Sequence, residues 1–552
     1  MRRVETDVLV IGSGFTGSVV ARKYVDQNRN VVMLERGNSY APRRIQALDP
    51  NARSTWWLEQ TKVVGRNTSL KFGPLNHVVN TFENKQSFSD LAEVFTGLEP
   101  YGFNYNMFRA IGGSGNVWSG FAWRFPPDDF SVRSKLGYGR DWALSYADLA
   151  PFYDEAERLL GVSGPEGAHE PWWPWLTSYV YPEFERSYLA TKVQKILGPL
   201  FEFVGQPHAA INDPSNPKSC EGYKTCANYC PTGALFRPFE RLIEPILFND
   251  GFFIEEGVAA VDIVLSECDK SINHVVGFDG SEYSSYYAKE VFLCGNTVEN
   301  IRLLQYIKQK NSSFLASTGN SIGSGMTSHY GVSVKVRTKE KLFPVRGRPT
   351  HISSIQGLKS DIRREKSIGG IVVEVWDSDY TLGGTPQSHL INLSMKGHWG
   401  ETLAKQVSNF EGQFMLNFVF ETESHPQKQV YLSEDIDKFG IPIACITMPF
   451  TERDHRTLAV VFDYVEKISH LPDIESVEIT GMGYNGNHPL GGVNMGDSPN
   501  NSVTDSFGRC HDVPNLHILG GGGFSSVSAL NPTLTIVALT LRSLSALCEA
   551  SG

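Results

Sequence analysis

The sequence predicts an α/β chain: a discontinuous Rossmann-like domain joined to an α+β domain that carries a large antiparallel sheet. Three observations predict it. A strand, a glycine loop, a helix and a second strand ending in an acid follow one another within the first 35 residues. Near the other end, Leu516–Leu519 forms a strand that runs into four glycines, Gly520 to Gly523. Between them, from about Gly331 to Ile479, strand-like runs alternate with polar turns. At 552 residues the chain exceeds one ordinary core.

Taking the elements in order, Asp7 to Ile11 is a short apolar run of the kind found in buried parallel strands. Gly12-Ser-Gly14-Phe15-Thr16-Gly17 follows, then a helical pattern from Ser18 to about Asn28, and Val31 to Leu34 supplies a second strand that ends in Glu35. A glycine triplet alone is weak, since 52 glycines produce chance matches. Its context is specific: strand before, helix after, and an acid 18 residues past Gly17. Gly12 permits the tight turn, Gly14 lets backbone approach a pyrophosphate, and Gly17 lets helix and strand pack closely. The helix N-terminus then faces the negative charge. Glu35 is expected to accept hydrogen bonds from ribose hydroxyls, which disfavours a 2′-phosphate. The loop announces a dinucleotide without separating FAD from NAD.

Composition narrows the class. With 41% hydrophobic and 20% charged residues and no low-complexity tract, the chain is a compact globular protein. A formal charge of -10 and the lack of any lysine or arginine run of useful length argue against a nucleic-acid partner. No stretch reaches the roughly 18 uncharged apolar residues of a membrane span, and Leu534 to Leu547 is interrupted by Arg542. Met1 to Asp7 enters a strand with no apolar signal region, so export is expected to depend on another chain. Of eight cysteines, Cys220, Cys226 and Cys230 fall close together. Cys268, Cys294, Cys445, Cys510 and Cys548 are expected to be small buried hydrophobes.

The C-terminal stretch reads Asn487-His-Pro-Leu-Gly-Gly-Val-Asn-Met-Gly496, then Val513 to Gly523, then Ala529-Leu-Asn-Pro-Thr-Leu-Thr-Ile536. This arrangement resembles the glucose–methanol–choline (GMC) oxidoreductases. The resemblance implies FAD, with His488 as the base that takes the hydroxyl proton and Asn531 as the hydrogen-bond partner of the same oxygen. Hydride then passes to flavin N5. An imidazole suits the task, because its ordinary pKa of about 6.5 makes it an acceptor near neutral pH. The resemblance also places Arg36, Val258, Gly521, Pro532 and Thr533 on the cofactor, the last two opening a helix aimed at the flavin pyrimidine.

Phe108-Arg-Ala-Ile-Gly-Gly-Ser-Gly-Asn-Val-Trp-Ser-Gly120 resembles the family's flavin-embracing segment and adds Gly112, Gly113, Ser114, Asn116 and Val117. In some relatives a histidine before the tryptophan is bonded to the flavin; Val117 stands there, so FAD is expected to be held without a covalent bond. Asn116 is read either as a flavin partner or as an exposed turn residue. Phe292 to Leu304 is a weaker match, with Cys294-Gly295-Asn296 in place of the usual alanine–glycine turn and no proline.

Cys220, Cys226 and Cys230-Pro231 are spaced C-x5-C-x3-C-P. Three readings stand: an iron–sulfur cluster, a disulfide plus a free thiol, and zinc or plain structural cysteines. The spacing resembles that of catalytic subunits of bacterial FAD-dependent glucose, fructose and gluconate dehydrogenases and of relatives acting at glycoside C3. That likeness implies a [3Fe–4S] cluster on Cys220, Cys226 and Cys230, a haem electron acceptor, a small export-carrying subunit and a periplasmic location. Without such a partner the location is cytoplasmic.

The domain expectation is 1–165, 218–325 and 481–552 for the FAD-binding unit, with the cysteine loop at 219–234, and 166–217 and 326–480 for the substrate unit. Phe414 to Phe420 and Lys428 to Leu432 are read as strands of a sheet roofing the flavin. His329, in Met326-Thr-Ser-His-Tyr330, sits where the family usually has Asp-His; a structural role is the better expectation. The aromatic stretch Pro171 to Tyr181 is read as packing rather than a sugar platform. The substrate expectation is a sugar or glycoside hydroxyl, with a lean towards glycoside C3 or aldose C1. The rivals are an oxygen-using pyranose-type oxidase and a catalytically inactive flavin-binding protein.

Overall fold

The computed structural model describes residues 2–37, 107–166, 172–174, 178–223, 226, 230–266, 268, 271–344, 352–376 and 386–551, with backbone alone at 386–389, 392 and 548–551. The first sheet starts with β1 (Arg2–Ile11), followed by helix α1 (Phe15–Asp26) and β2 (Val31–Glu35). Helix α2 (Tyr146–Leu160) comes next, opened by a capping box between Ser145 and Asp148. Then come β3 (Phe252–Glu256), β4 (Ala259–Leu265), β5 (Ile272–Phe278), β6 (Tyr283–Leu293) and helix α3 (Thr297–Lys310). The spatial order is β3-β2-β1-β6-β5-β4. β1 runs parallel to both β2 and β6, while β5 returns antiparallel. Along β1, Val8 and Val10 enter one core while Leu9 and Ile11 enter the other. Both faces are therefore covered, which is why this strand reads as an unbroken apolar run. Leu9→Ala is expected to cost about 2–5 kcal/mol.

The second sheet is antiparallel: β7 (His329–Thr338), β8 (Ile352–Gly357), β9 (Ile371–Trp376), β10 (Gln413–Glu421) and, after helix α4 (Glu452–Ser469), β11 (Ile474–Tyr484). Its order is β11-β7-β10-β9-β8, with the two-residue strand Val204–Gly205 at the edge. β12 (Leu516–Ile518) returns to the first sheet beside β6, and helix α5 (Thr533–Ser551) packs on α1 and α2.

Two expectations need correction here. Phe414 to Phe420 lies in the second sheet, but Gln429–Ile436 pairs with Pro442–Thr447 as a separate ribbon. Residues 331–479 also hold helices, at Ser360–Lys366, Pro386–Met395, Gly400–Phe410 and α4. α4 starts at a Thr451/Asp454 capping box and buries Asp454, Thr457, Leu458, Val461 and Ile468, a helical spacing that the strand reading overlooked. Among the scattered cysteines, Cys294, Cys445 and Cys510 are buried, whereas Cys268 lies exposed in a turn. The side chain of Cys548 is outside the described residues.

Trp173 is buried, donates from Nε1 to the Arg124 carbonyl at 3.0 Å and packs near Trp123. Residues 171 and 175–177 of the aromatic stretch fall outside the described residues.

Candidate active site

A cavity of about 810 Å³ lies between the two sheets. Residues from both ends of the chain and from the second sheet line it, among them Gly12, Glu35, Gly113, His329, His488 and Asn531.

The floor is the glycine loop. Gly12 has φ +99°, and a Cβ on Gly17 would stand 1.9 Å from the Gly12 carbonyl oxygen, so neither position takes a side chain without movement. A Cβ on Gly14 would meet no atom of the described residues within 4 Å. Among the described residues no side chain caps α1, and its first turn holds no acid, which suits N–H groups kept for another acceptor. An open approach at Gly14 beside uncapped N–H donors fits a dinucleotide pyrophosphate. Phe15, Thr16 and Arg36 also line the cavity, while Gly17 does its work beneath it.

Glu35 is buried, taking the Ser13 N–H at 3.2 Å, the Ser13 hydroxyl and the Gly37 N–H at 2.7 Å. Burial pushes its pKa up, and these donors pull against that. Two carboxylate oxygens retain acceptor capacity beyond those three bonds, enough for a ribose hydroxyl. Arg36 commits its guanidinium to Glu299 at 2.9 Å and Asp437 at 2.6 Å. Val258 lines the cavity and holds its edge, donating its N–H to the Glu35 carbonyl at 3.0 Å.

The segment around Gly112 is hooked onto the loop, its N–H donating to Ser13 Oγ at 3.0 Å. Gly113, Ser114 and Val117 line the cavity, and Val117 offers no nucleophile for a covalent link. Asn116 is buried rather than exposed, and its amide donates to the Ile111 carbonyl at 2.7 Å.

At the far wall, backbone pairing holds three segments together. Leu490 exchanges hydrogen bonds with Thr327 at 2.8 and 2.9 Å, and the N–H groups of Gly491, Val493 and Met495 donate to the carbonyls of Gly521, Gly522 and Gly523. Residues 485–495 are thereby fixed between the start of β7 and the glycine run. His488, Gly521, Asn531, Pro532 and Thr533 all line the cavity, with Thr533 beginning α5.

His488 does not stand alone. Its Nδ1 is 3.0 Å from Nδ1 of His329, and His329 Nε2 is 2.7 Å from the Ser528 carbonyl oxygen. Burial, together with the second imidazole, holds His488 well below the ordinary imidazole range. Burial lowers His329 to about 4, against the raising effect of the Ser528 bond. Both rings are therefore neutral at pH 7. His329, expected to be structural, meets His488 across 159 positions of chain.

The sequence reading also missed a polar row on the roof. Ser333, Asn417 and Glu374 sit opposite one another on β7, β10 and β9. Asn417 donates to Glu374 at 3.2 Å, and Trp376 Nε1 donates to the same oxygen at 2.9 Å. All four line the cavity. The available signal was polar residues inside strands whose other inward positions are apolar, such as Asn417 within Phe414 to Phe420.

Cys220, Cys226 and Cys230 are half-buried and pack on one apolar patch, Phe184, Ala210 and Leu235. Cys230 sulfur accepts the Leu235 N–H at 3.4 Å, and Arg237, itself buried, donates to the Cys226 carbonyl at 2.9 Å, its Nη1 having no hydrogen-bond partner among the described residues. The loop reaches the cavity wall: Phe236 accepts from Trp118 Nε1 at 2.7 Å and stacks on Phe15. Thiols beside a buried cation suit an anionic cluster in donor chemistry. Among the described residues, however, no three histidine, cysteine, aspartate or glutamate side chains converge as metal ligands would. No described helix is long and apolar enough to cross a membrane.

Comparison with known proteins agrees with this architecture. The family model described as GMC oxidoreductase matches residues 425–540. The fructose dehydrogenase large subunit of Gluconobacter japonicus is 26% identical over 99% of this chain and 98% of its own. Paromamine 6'-oxidase of Streptomyces fradiae is 25% identical over 97% and 90%. The gluconate 2-dehydrogenase flavoprotein of Pantoea cypripedii is 21% identical over 99% and 94%. Among solved structures, pyridoxine 4-oxidase from Mesorbium loti superposes with TM-score 0.60 over 98% of this chain and 99% of its own, at 14% identity, a likeness of fold.

Proposed function

We propose, from the premise that this chain belongs to the GMC oxidoreductases, that it is an FAD-dependent dehydrogenase of a sugar or glycoside hydroxyl. The observation that carries the reading is that His488 and Asn531 line the same cavity as the Gly12–Gly17 loop. When bound without a covalent link, FAD supplies the hydride acceptor. Gly12, Gly14, Phe15, Thr16 and Glu35 hold its adenosine diphosphate, while the 112–117 segment, Gly521, Asn531, Pro532 and Thr533 embrace the flavin.

His488, neutral at physiological pH, takes the proton of the substrate hydroxyl, and Asn531 hydrogen-bonds the same oxygen. As the O–H proton leaves to His488, the carbon gives up its hydride and the C–O bond becomes a carbonyl. The Ser333–Asn417–Glu374 row supplies acceptors and donors for the other hydroxyls, with Trp376 offering an apolar face, as a sugar site requires. Among sugars the reading leans to glycoside C3 or aldose C1. The cofactor unit is assigned residues 1–165, 218–325 and 481–552, and the substrate unit 166–217 and 326–480.

We assign Cys220, Cys226 and Cys230 to a [3Fe–4S] cluster, supported by the thiols, by buried Arg237 and by the short step through Phe236 to the cavity wall. Such a cluster would supply a one-electron exit towards a haem acceptor, and a small partner subunit would carry the protein to the periplasm. The second reading is an oxygen-using oxidase, favoured by the likeness to paromamine 6'-oxidase. Anaerobic mixing of the flavin-loaded protein with a panel of sugars and glycosides, followed by flavin absorbance, tests the activity. Bleaching by at least one of them is expected; no bleaching with any sugar or alcohol overturns the reading.

A further inference from the structure

We propose that His329 is a positioning residue that sets the tautomer of His488 and so makes His488 Nε2 the proton acceptor. This rests on the reading of His488 as the base. The Ser528 oxygen can only accept, so His329 Nε2, 2.7 Å away, carries a hydrogen. A neutral imidazole has one N–H, which leaves His329 Nδ1 with a lone pair. His488 Nδ1 stands 3.0 Å from that lone pair. Two lone pairs facing each other in a buried site repel, so the hydrogen between the rings belongs to His488 Nδ1. Its Nε2 is then unprotonated, the form a general base needs.

One neighbour opposes this arrangement. The Asn485 amide oxygen accepts the Asn487 N–H at 3.0 Å, which turns Asn485 Nδ2 to 3.2 Å from His488 Nδ1. That donor favours the other tautomer. The imidazole contact is the shorter of the two, and its polarity is fixed by a carbonyl that has no alternative role. The low pKa of His329, about 4, keeps it neutral and the relay in one direction at physiological pH.

His329 also joins the two halves of the site. It opens β7, and its bond to Ser528 holds the turn that carries Asn531 three residues later. One ring therefore orients His488 through Nδ1 and anchors the Asn531 turn through Nε2, in the way that an orienting third group serves a base in other catalytic constellations.

Nitrogen-15 NMR of the flavin-loaded protein, labelled at histidine, reads the tautomer without turnover; comparison with H488N assigns the resonances. The expected result is a protonated Nδ1 and an unprotonated Nε2 on His488, with the reverse on His329. A His488 protonated at Nε2 overturns the proposal. In kinetics, H329N can present an amide oxygen where Nδ1 stood and should keep kcat within about tenfold, whereas H329L should lose about 10²–10⁴ in kcat with little change in KM. Equal activity of H329L and H329N overturns the proposal as well. H488A with undiminished flavin bleaching sinks the base reading while leaving the tautomer result intact, so the two failures are distinguishable.

Discussion

A half-buried imidazole lining a cavity, with a second, buried imidazole 3.0 Å away, resists protonation, and this bears on how activity should depend on pH. His488 lies well below the ordinary imidazole range because of burial first and His329 second. Its active form is the neutral one, so activity is full above the ordinary pKa of about 6.5 and is lost only as pH falls through the lowered value. Single-turnover flavin bleaching should stay flat from pH 8 down to about pH 6; an acid limb at or above pH 6.5 contradicts the assignment. Glu374 lines the cavity in the polar row proposed to meet the substrate. Replacing it with Gln keeps its shape and should raise KM about tenfold with kcat within about threefold, the signature of lost uniform binding. Steady-state kinetics on the best sugar of the panel checks this. His488 and Asn531 could be singled out from the sequence as candidates, because each sits in a distinctive local run, and both line the cavity. His329 and Glu374 were not, since their roles come from partners on other strands, and a lone histidine or glutamate in a strand carries no such signal.

At the scale of elements, the glycine loop separates two duties that a triplet motif merges. Gly17 packs helix against strand, with a Cβ reaching 1.9 Å from the Gly12 oxygen, whereas Gly14 faces open space. G17A should lower the stability of the flavin-free protein by about 2 kcal/mol or more, as overpacking does. G14A should leave the melting temperature of the flavin-free protein unchanged while weakening FAD at least about tenfold, because the added methyl occupies the pyrophosphate's approach. Thermal melts and flavin titrations of the two variants distinguish these outcomes. The strand–loop–helix–strand unit was legible because period, turn chemistry and acid agree locally. The region from 331 to 479 was less so: its helices and the ribbon at 429–447 were hidden among runs that read equally well as strands.

For the whole molecule, the decisive fact is that the two ends of the chain and the antiparallel roof enclose one cavity. The glycine loop at Gly12 and the proposed base His488, far along the chain, line the same cavity. The cysteine loop joins that cavity through Phe236, Phe15 and Trp118. Anaerobically purified protein should contain iron and acid-labile sulfide, and C226S should lose both while keeping FAD; absence of both from the unaltered protein removes the one-electron exit and favours the oxidase reading. The account's central claim is that His488 takes the substrate proton in this cavity. Its most direct test is anaerobic stopped-flow bleaching of the flavin by the preferred sugar in the unaltered protein and in H488A. The account predicts rapid bleaching in the first, and in H488A a rate lower by about 10²–10⁴ with FAD still bound; equal rates in both would contradict it.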